Sequence, residues 1–317
     1  MPRAGPVSAA MTETADNPRR PAVRASIREG AVTVTRGRVL RSLRRSPVGL
    51  AGLAIVAWIV GLAAFGPWIS PYDPARPDLL ARFQPPVWLE GGDASHPLGT
   101  DQLGRDIVSR LIVGSRVSVI VGIASVAIAT CVGVTMGLVA GYYGGWWDVL
   151  LMRLTDAFLS IPFLVLVVAI AGVVGPGILT IILILGLTGW VVFSRVVRGE
   201  VLALREQEYV MAARALGQAD VVILARHILP NVTASVIVLG TLQVATSILA
   251  ESALSFLGLG VQPPTVTWGG MLADGRQHLG GAWWLATFPG LMITVTVLGV
   301  VFLGDWLRDV LDPKLRD

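Results

Sequence analysis

Runs of about 20 consecutive apolar residues, each the length a helix needs to cross a bilayer, constrain this chain more than any other feature. Six such runs occur: Val48–Ile69, Val117–Ala140, about Val149–Val173, Ile178–Val197, Val232–Leu254 and about Ala286–Leu307. Composition agrees, because 54% of the 317 residues are hydrophobic and only 15% are charged, too apolar for a soluble domain. The sequence therefore predicts an all-α polytopic membrane protein with six transmembrane helices.

Charge placement orients the runs. Arg3, Arg19, Arg20, Arg24, Arg28, Arg36, Arg38, Arg41, Arg44 and Arg45 precede the first run, opposed only by Glu13, Asp16 and Glu29. Basic residues stay on the cytoplasmic side, so the N-terminus is expected inside. Counting crossings then places 70–115, 174–177 and 255–285 outside, and 141–148, 198–231 and the tail 308–317 inside. The arm serves as a topology signal, and nothing in it reads bases, so no nucleic-acid partner is expected. Residues 1–35 lack apolar periodicity and are expected to be disordered. The first run is longer than the ~7–15 residues of a signal-peptide core, so it reads as a retained span. The predicted organisation is a basic, largely disordered cytoplasmic arm (1–46), a first helix with a long outer loop (47–115), and a core of five helices (116–317).

Between the fourth and fifth runs lies a polar island, Arg198–Asn231. Glu200, Arg205, Glu206, Glu208, Arg214, Asp220 and Arg226 could not share a bilayer-buried segment, so the island lies in water. Ala212, Ala213, Ala215 and Leu216 favour a helix that Gly217 would end in a left-handed cap. Asp220 is placed to cap a second helix, and Pro230 to limit it. The product is a compact knob that a partner's groove could grip.

Other features point to packing more than to chemistry. Six prolines between Pro71 and Pro97 oppose long helices in the first part of the outer loop, and Asp106–Ser115 has the spacing of a short helix lying on the membrane surface. Trp283 and Trp284 read as an interfacial belt. Gly122, Gly133 and Gly137 read as sites of close helix approach. Cys131, the single cysteine, reads as a small buried hydrophobe. His96, His227 and His278 are too scattered for a metal site, and no phosphate-cradling GxxxxGK[ST] occurs, so no metal, cofactor or catalytic residue is expected. Arg153 and Asp156, three apart at the inner start of the third run, form either an interfacial ion pair, part of an inner gate or a support for the knob. Glu251, in the last turn of the fifth run, is either an outer gate element or a plain interfacial residue.

The island resembles the cytoplasmic "EAA" coupling loop of ABC importer permeases at Ala212, Ala213, Gly217, Leu229 and Pro230. Met211 stands where that motif has Glu, and His227 where it has Ile. The longer strings Glu208-Tyr209-Val210-x-Ala212-Ala213-Arg214 and Arg226-His227-Ile228-Leu229-Pro230-Asn231 resemble the dipeptide/oligopeptide/nickel permease subfamily. So do His96–Arg116 and Glu251–Gly275, and the long outer loop resembles the C-type subunit of peptide importers. The resemblance implies the type I importer permease fold. It implies a bacterial inner-membrane, multi-pass subunit with both termini in the cytoplasm, working among membrane lipid. Its implied partners are a second homologous permease, two ATP-binding subunits that hydrolyse the ATP, and an extracytoplasmic substrate-binding protein. Glu208, Tyr209, Ala212, Ala213, Arg214, Gly217, Arg226, His227, Leu229 and Pro230 would then couple the chain to the ATPases. The implied cargo is di- or oligopeptide, with nickel chelates or glutathione as alternatives in the same fold. An ion-driven secondary transporter is the rival of another class. It would call for discontinuous helices or mid-span carboxylates, and none of the six runs has an acidic residue at its centre.

Overall fold

The computed structural model describes residues 42–311; the expectations for the disordered arm and for the last six residues fall outside them. The described residues are helices and loops, with one isolated bridge between Thr100 and Asp106. Helix α1 is Pro47–Ile69, opened by the Ser46 hydroxyl, which accepts from the Gly49 amide at 3.0 Å. It is followed by α2 (Ile107–Tyr143), α3 (Gly145–Ser160), α4 (Phe163–Val174), α5 (Ile178–Leu204), α6 (Glu208–Ala215), α7 (Asp220–Ile223), α8 (Leu229–Phe256), α9 (Trp268–Gly275) and α10 (Trp284–Leu311). Helices α1, α2, α5, α8 and α10 are each long and apolar enough to cross a membrane, and α3 with α4 makes the sixth crossing.

That sixth crossing corrects the sequence reading. The third run is not one helix: α3 and α4 meet at a 90° bend across Ile161-Pro162. Proline removes a donor and pushes the residue before it out of the helical region, and Ile161 is extended at φ −89°, ψ 123°.

The outer loop brings a second correction. Asp106–Ser115 is not a separate surface helix but the start of α2, which runs 37 residues without a break. Asp106 caps it by accepting from the Ser109 amide at 2.7 Å, and no glycine pair or proline interrupts it before Gly144. This first stretch is buried under α9: the Trp268 indole donates to the Leu111 carbonyl at 2.9 Å. Trp284 is likewise buried, donating to the Thr100 carbonyl at 3.1 Å, so only Trp283 of the expected belt is exposed. Beside them Asp101 pairs with Arg105 at 2.7 Å, and Asp106 with His96 at 3.0 Å. Cys131 is exposed rather than buried, on the face of α2 turned away from its neighbours in this chain.

Helices α2 and α5 form the tightest seam. A Cβ on Gly133 would sit 2.4 Å from the Trp190 carbonyl oxygen, and one on Gly137 would sit 2.7 Å from that of Ser194. Gly141 continues the series against Val201. Glycine every fourth residue lets the two backbones touch, which matters where lipid supplies no hydrophobic drive to helix pairing.

The orientation can be tested at Ser95, in the outer loop. A Ser95→Cys variant in a Cys131→Ser background is expected to label with an impermeant thiol reagent on intact cells. Labelling only after lysis would invert the topology.

Candidate functional site

The island folds as the expected knob. Helix α6 ends at Gly217, whose φ is +76°. The Gln218 amide donates to the Ala213 carbonyl at 3.1 Å and the Gly217 amide to that of Arg214 at 3.0 Å, the paired bonds of a left-handed helix stop. Val210, Ile223 and Ile228 are fully buried and pack with Ala213 against Val197 and Val201 of α5, Tyr142 of α2 and Val232 of α8. The knob is thus continuous with the ends of three spans.

Asp220 does not cap α7. Ala219 occupies the cap position, and the Asp220 carboxylate accepts from the Tyr142 hydroxyl at 2.7 Å. Arg214 lies over the same tyrosine, its guanidinium carbon 5.1 Å from the ring centre. A hydrogen bond with the Tyr142 hydroxyl holds the Arg214 guanidinium above its ordinary pKa, so it stays charged. Partial desolvation pushes the phenol of Tyr209 up, although the residue is 44% exposed. Nor does Pro230 end the second helix. A π turn, Leu224–Ile228, carries α7 straight into α8, with the Leu229 amide reaching the Leu224 carbonyl five residues back. A wider turn relieves the clash a proline ring makes with the carbonyl four residues before it. His227 lies in this turn, its Nε2 3.0 Å from Gln218 Oε1 across the knob, and Asn231 donates to its carbonyl at 2.6 Å.

Of the other residues singled out in the island, Glu208, Tyr209, Ala212, Arg226, Leu229 and Pro230 are all exposed. With them the knob exposes Met211, Leu216 and Val221, the last two at 87% and 71%. These apolar side chains, exposed among charged ones, form a surface that a partner could cover.

Two basic residues of α5 pin α3 beneath the bend. Arg198 grips Asp148 with two parallel bonds of 2.5 and 2.6 Å. Arg195 pairs with Asp156 at 2.7 Å, so Asp156 is held across helices and not by Arg153 on its own. Sequence reading missed Tyr142 and Arg195. Tyr142 carries no local signal of its role, because its partner is 78 residues away. Glu251 is fully buried near the C-terminal end of α8, accepting from Ser255 at 2.8 Å, while Gly269 of α9 packs directly on Ser252 and Ser255.

Residues 133–317 match the family model for binding-protein-dependent transport system inner membrane components, and residues 36–86 match that for the N-terminal TM domain of oligopeptide transport permease C. The chain is 42% identical to the di/tripeptide transport system permease protein DppC of Pseudomonas aeruginosa, over 87% of this chain and 91% of that one. It is 41% identical to the dipeptide transport system permease protein DppC of Bacillus subtilis, over 87% and 85%. It is also 41% identical to the glutathione transport system permease protein GsiD of Escherichia coli, over 87% and 89%.

Proposed function

This chain belongs to the binding-protein-dependent transport inner-membrane components, and from that premise we propose that it is the permease subunit of an ATP-driven importer of di- and oligopeptides. It forms half of the translocation pathway. A second homologous permease forms the other half, two ATP-binding subunits act on the knobs, and an extracytoplasmic binding protein delivers the cargo. The membrane is the bacterial inner membrane, with both termini in the cytoplasm.

One observation carries this reading: the knob exposes Leu216 and Val221 to a partner while its buried side is continuous with α2, α5 and α8. A push on that surface moves spans. Glu208, Tyr209, Ala212, Arg214, Gly217, Arg226, His227, Leu229 and Pro230 supply or shape the docking face, and Ala213 anchors it from below. Arg153 and Asp156 belong to the inner gate and Glu251 to the outer one. The arm to residue 46, the outer unit 47–115 and the core 116–317 are the functional divisions. Peptide cargo is supported by the relatives named for dipeptides, and glutathione is the second reading because a relative at equal identity is named for it. The broken third span is a feature that an ion-driven carrier also calls for, but the family membership and the knob favour ATP.

The purified chain alone is expected to hydrolyse no ATP. Co-expression with its cognate permease and ATPase subunits should give hydrolysis that rises with cargo-loaded binding protein, and ATP-dependent uptake of a labelled dipeptide. Uptake by the single chain in proteoliposomes, driven by an ion gradient without ATP, would overturn the assignment. Preference for labelled glutathione over dipeptides would select the second reading.

A further inference from the structure

The bend in the third span leaves peptide groups unpaired at a depth where a bilayer offers them nothing. Phe158, just before the bend, meets Trp190 edge to face with ring centres 5.4 Å apart. Trp190 lies twelve residues along α5 from its outer start at Ile178, about 18 Å at 1.5 Å per residue. The bend is therefore deep within a hydrocarbon core of about 30 Å. Among the described residues, the carbonyls of Leu159, Ser160 and Ile161 and the amides of Phe163 and Leu164 have no hydrogen-bond partner. Residues 159–164 are all exposed, Leu159 at 54% and Leu164 at 52%.

Irregular backbone cannot face lipid at this depth; it must be covered by protein or lie in water. The surface leading up to the bend decides for water. Arg153, Asp156 and Ser160 have the i, i+3, i+7 spacing of one face of α3, and all three are exposed. The Asp156–Arg195 pair, about one turn below the bend, has both side chains about half exposed, at 56% and 49%. Charges so placed would be costly against lipid or sealed in an apolar interface. They mark a hydrated strip that climbs from the inner side to the bend.

We propose that the elbow Ser160–Ile161–Pro162 lines the substrate pathway and that its free peptide groups hydrogen-bond to the backbone of the passing peptide. The carbonyls of Leu159, Ser160 and Ile161 accept from cargo amides or its terminal ammonium. The amides of Phe163 and Leu164 donate to cargo carbonyls or its terminal carboxylate. Contacts made only to main chain ignore side-chain identity, which suits a carrier of many sequences. Each neutral bond is weak in a wet site, so cargo is guided without being trapped.

The inference rests on the peptide-importer reading, and the two can fail separately. Ser160→Cys and, as a control on the exposed apolar surface of α1, Leu53→Cys are each placed in a Cys131→Ser parent and assembled with the cognate permease, ATPases and binding protein. Only a hydrated thiol ionises and reacts, so a charged methanethiosulfonate should modify Ser160→Cys at least about tenfold faster than Leu53→Cys. Cargo dipeptide should slow the modification of Ser160→Cys several-fold, and the modified complex should lose uptake. A rate equal to that of the control would put the elbow under lipid or partner protein and overturn the proposal. Fast modification that cargo does not slow would also overturn it, leaving water at the elbow but no cargo contact. If the Cys131→Ser parent, assembled and active as an ATPase, takes up no dipeptide, the importer reading itself fails, whatever the elbow does.

Discussion

Gly217→Val is expected to abolish uptake while leaving the protein in the membrane. Nothing lies within 4 Å of a Cβ built on Gly217, so the substitution meets no neighbour. The obstacle is the backbone: φ is +76°, and left-handed geometry costs an L side chain about 1–2 kcal/mol, with a β-branched residue a steric outlier there. Relief requires α6 to unwind at Ala215–Leu216 or α7 to swing away, and either change breaks the bonds from Gln218 to Ala213 and to His227. The spans are untouched, so insertion and pairing with the second permease should survive. Cargo-stimulated ATP hydrolysis and uptake should fall together by an order of magnitude or more, since about 1.4 kcal/mol of bias is already tenfold. Gly217→Asn, which tolerates left-handed geometry, should restore most of the activity. Wild-type transport by Gly217→Val would show that knob geometry does not matter.

The second large effect lies in the membrane, where Gly133→Ala is expected to destabilise the fold and Gly199→Ala is not. Helix propensity alone predicts a gain of about 1 kcal/mol for either change. At Gly199 a methyl group meets nothing within 4 Å, so that gain stands. At Gly133 the same methyl would lie 2.4 Å from the Trp190 carbonyl oxygen and 2.6 Å from the Phe193 Cβ. The obstruction is backbone, so it cannot rotate away, and α2 must part from α5 along the whole Gly133–Gly141 seam. Overpacking of this kind costs roughly 1–3 kcal/mol, and separated helices in lipid regain nothing from hydrophobic burial. Thermal unfolding of the detergent-solubilised complex, followed by size exclusion, should show a clear loss for Gly133→Ala alone. Equal melting of the two variants would mean that the seam is looser than the structure shows.

These two glycines mark how much of the molecule could be read from its residues. The apolar runs and the cap at Gly217 are local properties, one of composition and one of a short helix stop; five of the six runs are single long helices and Gly217 ends its helix, as expected. Misread features depended on partners distant in the chain. Asp220 had the local look of a helix cap, but Tyr142 claims its carboxylate. Asp156 had Arg153 at helical spacing, yet Arg195 takes it. Trp284 had the position of a belt residue, but Thr100 holds it inside. The elbow was hidden for a different reason. Hydropathy averages side chains and does not register that Pro162 lacks an amide hydrogen, so an uninterrupted apolar run concealed a broken backbone. The seam was half visible: Gly133 and Gly137 show a spacing, but spacing does not name the helix that fills it.

The unbroken course of α2 has a mechanical consequence. Its N-terminal end is clamped beneath Trp268 and Thr100, and its C-terminal end reaches Asp220 of the knob through Tyr142. A helix of 37 residues is a rod about 55 Å long. Rocking it by 5° about its middle carries its two tips about 2 Å in opposite directions, on the scale of known interface shifts. Force applied at the Tyr142 tip thus arrives at the Trp268 end as displacement of one stiff body, with the reverse stroke equally available. No relay of side-chain rearrangements is needed between its two ends, so under the proposed function the arrival of cargo and the closure of the ATPases are two loads on a single lever.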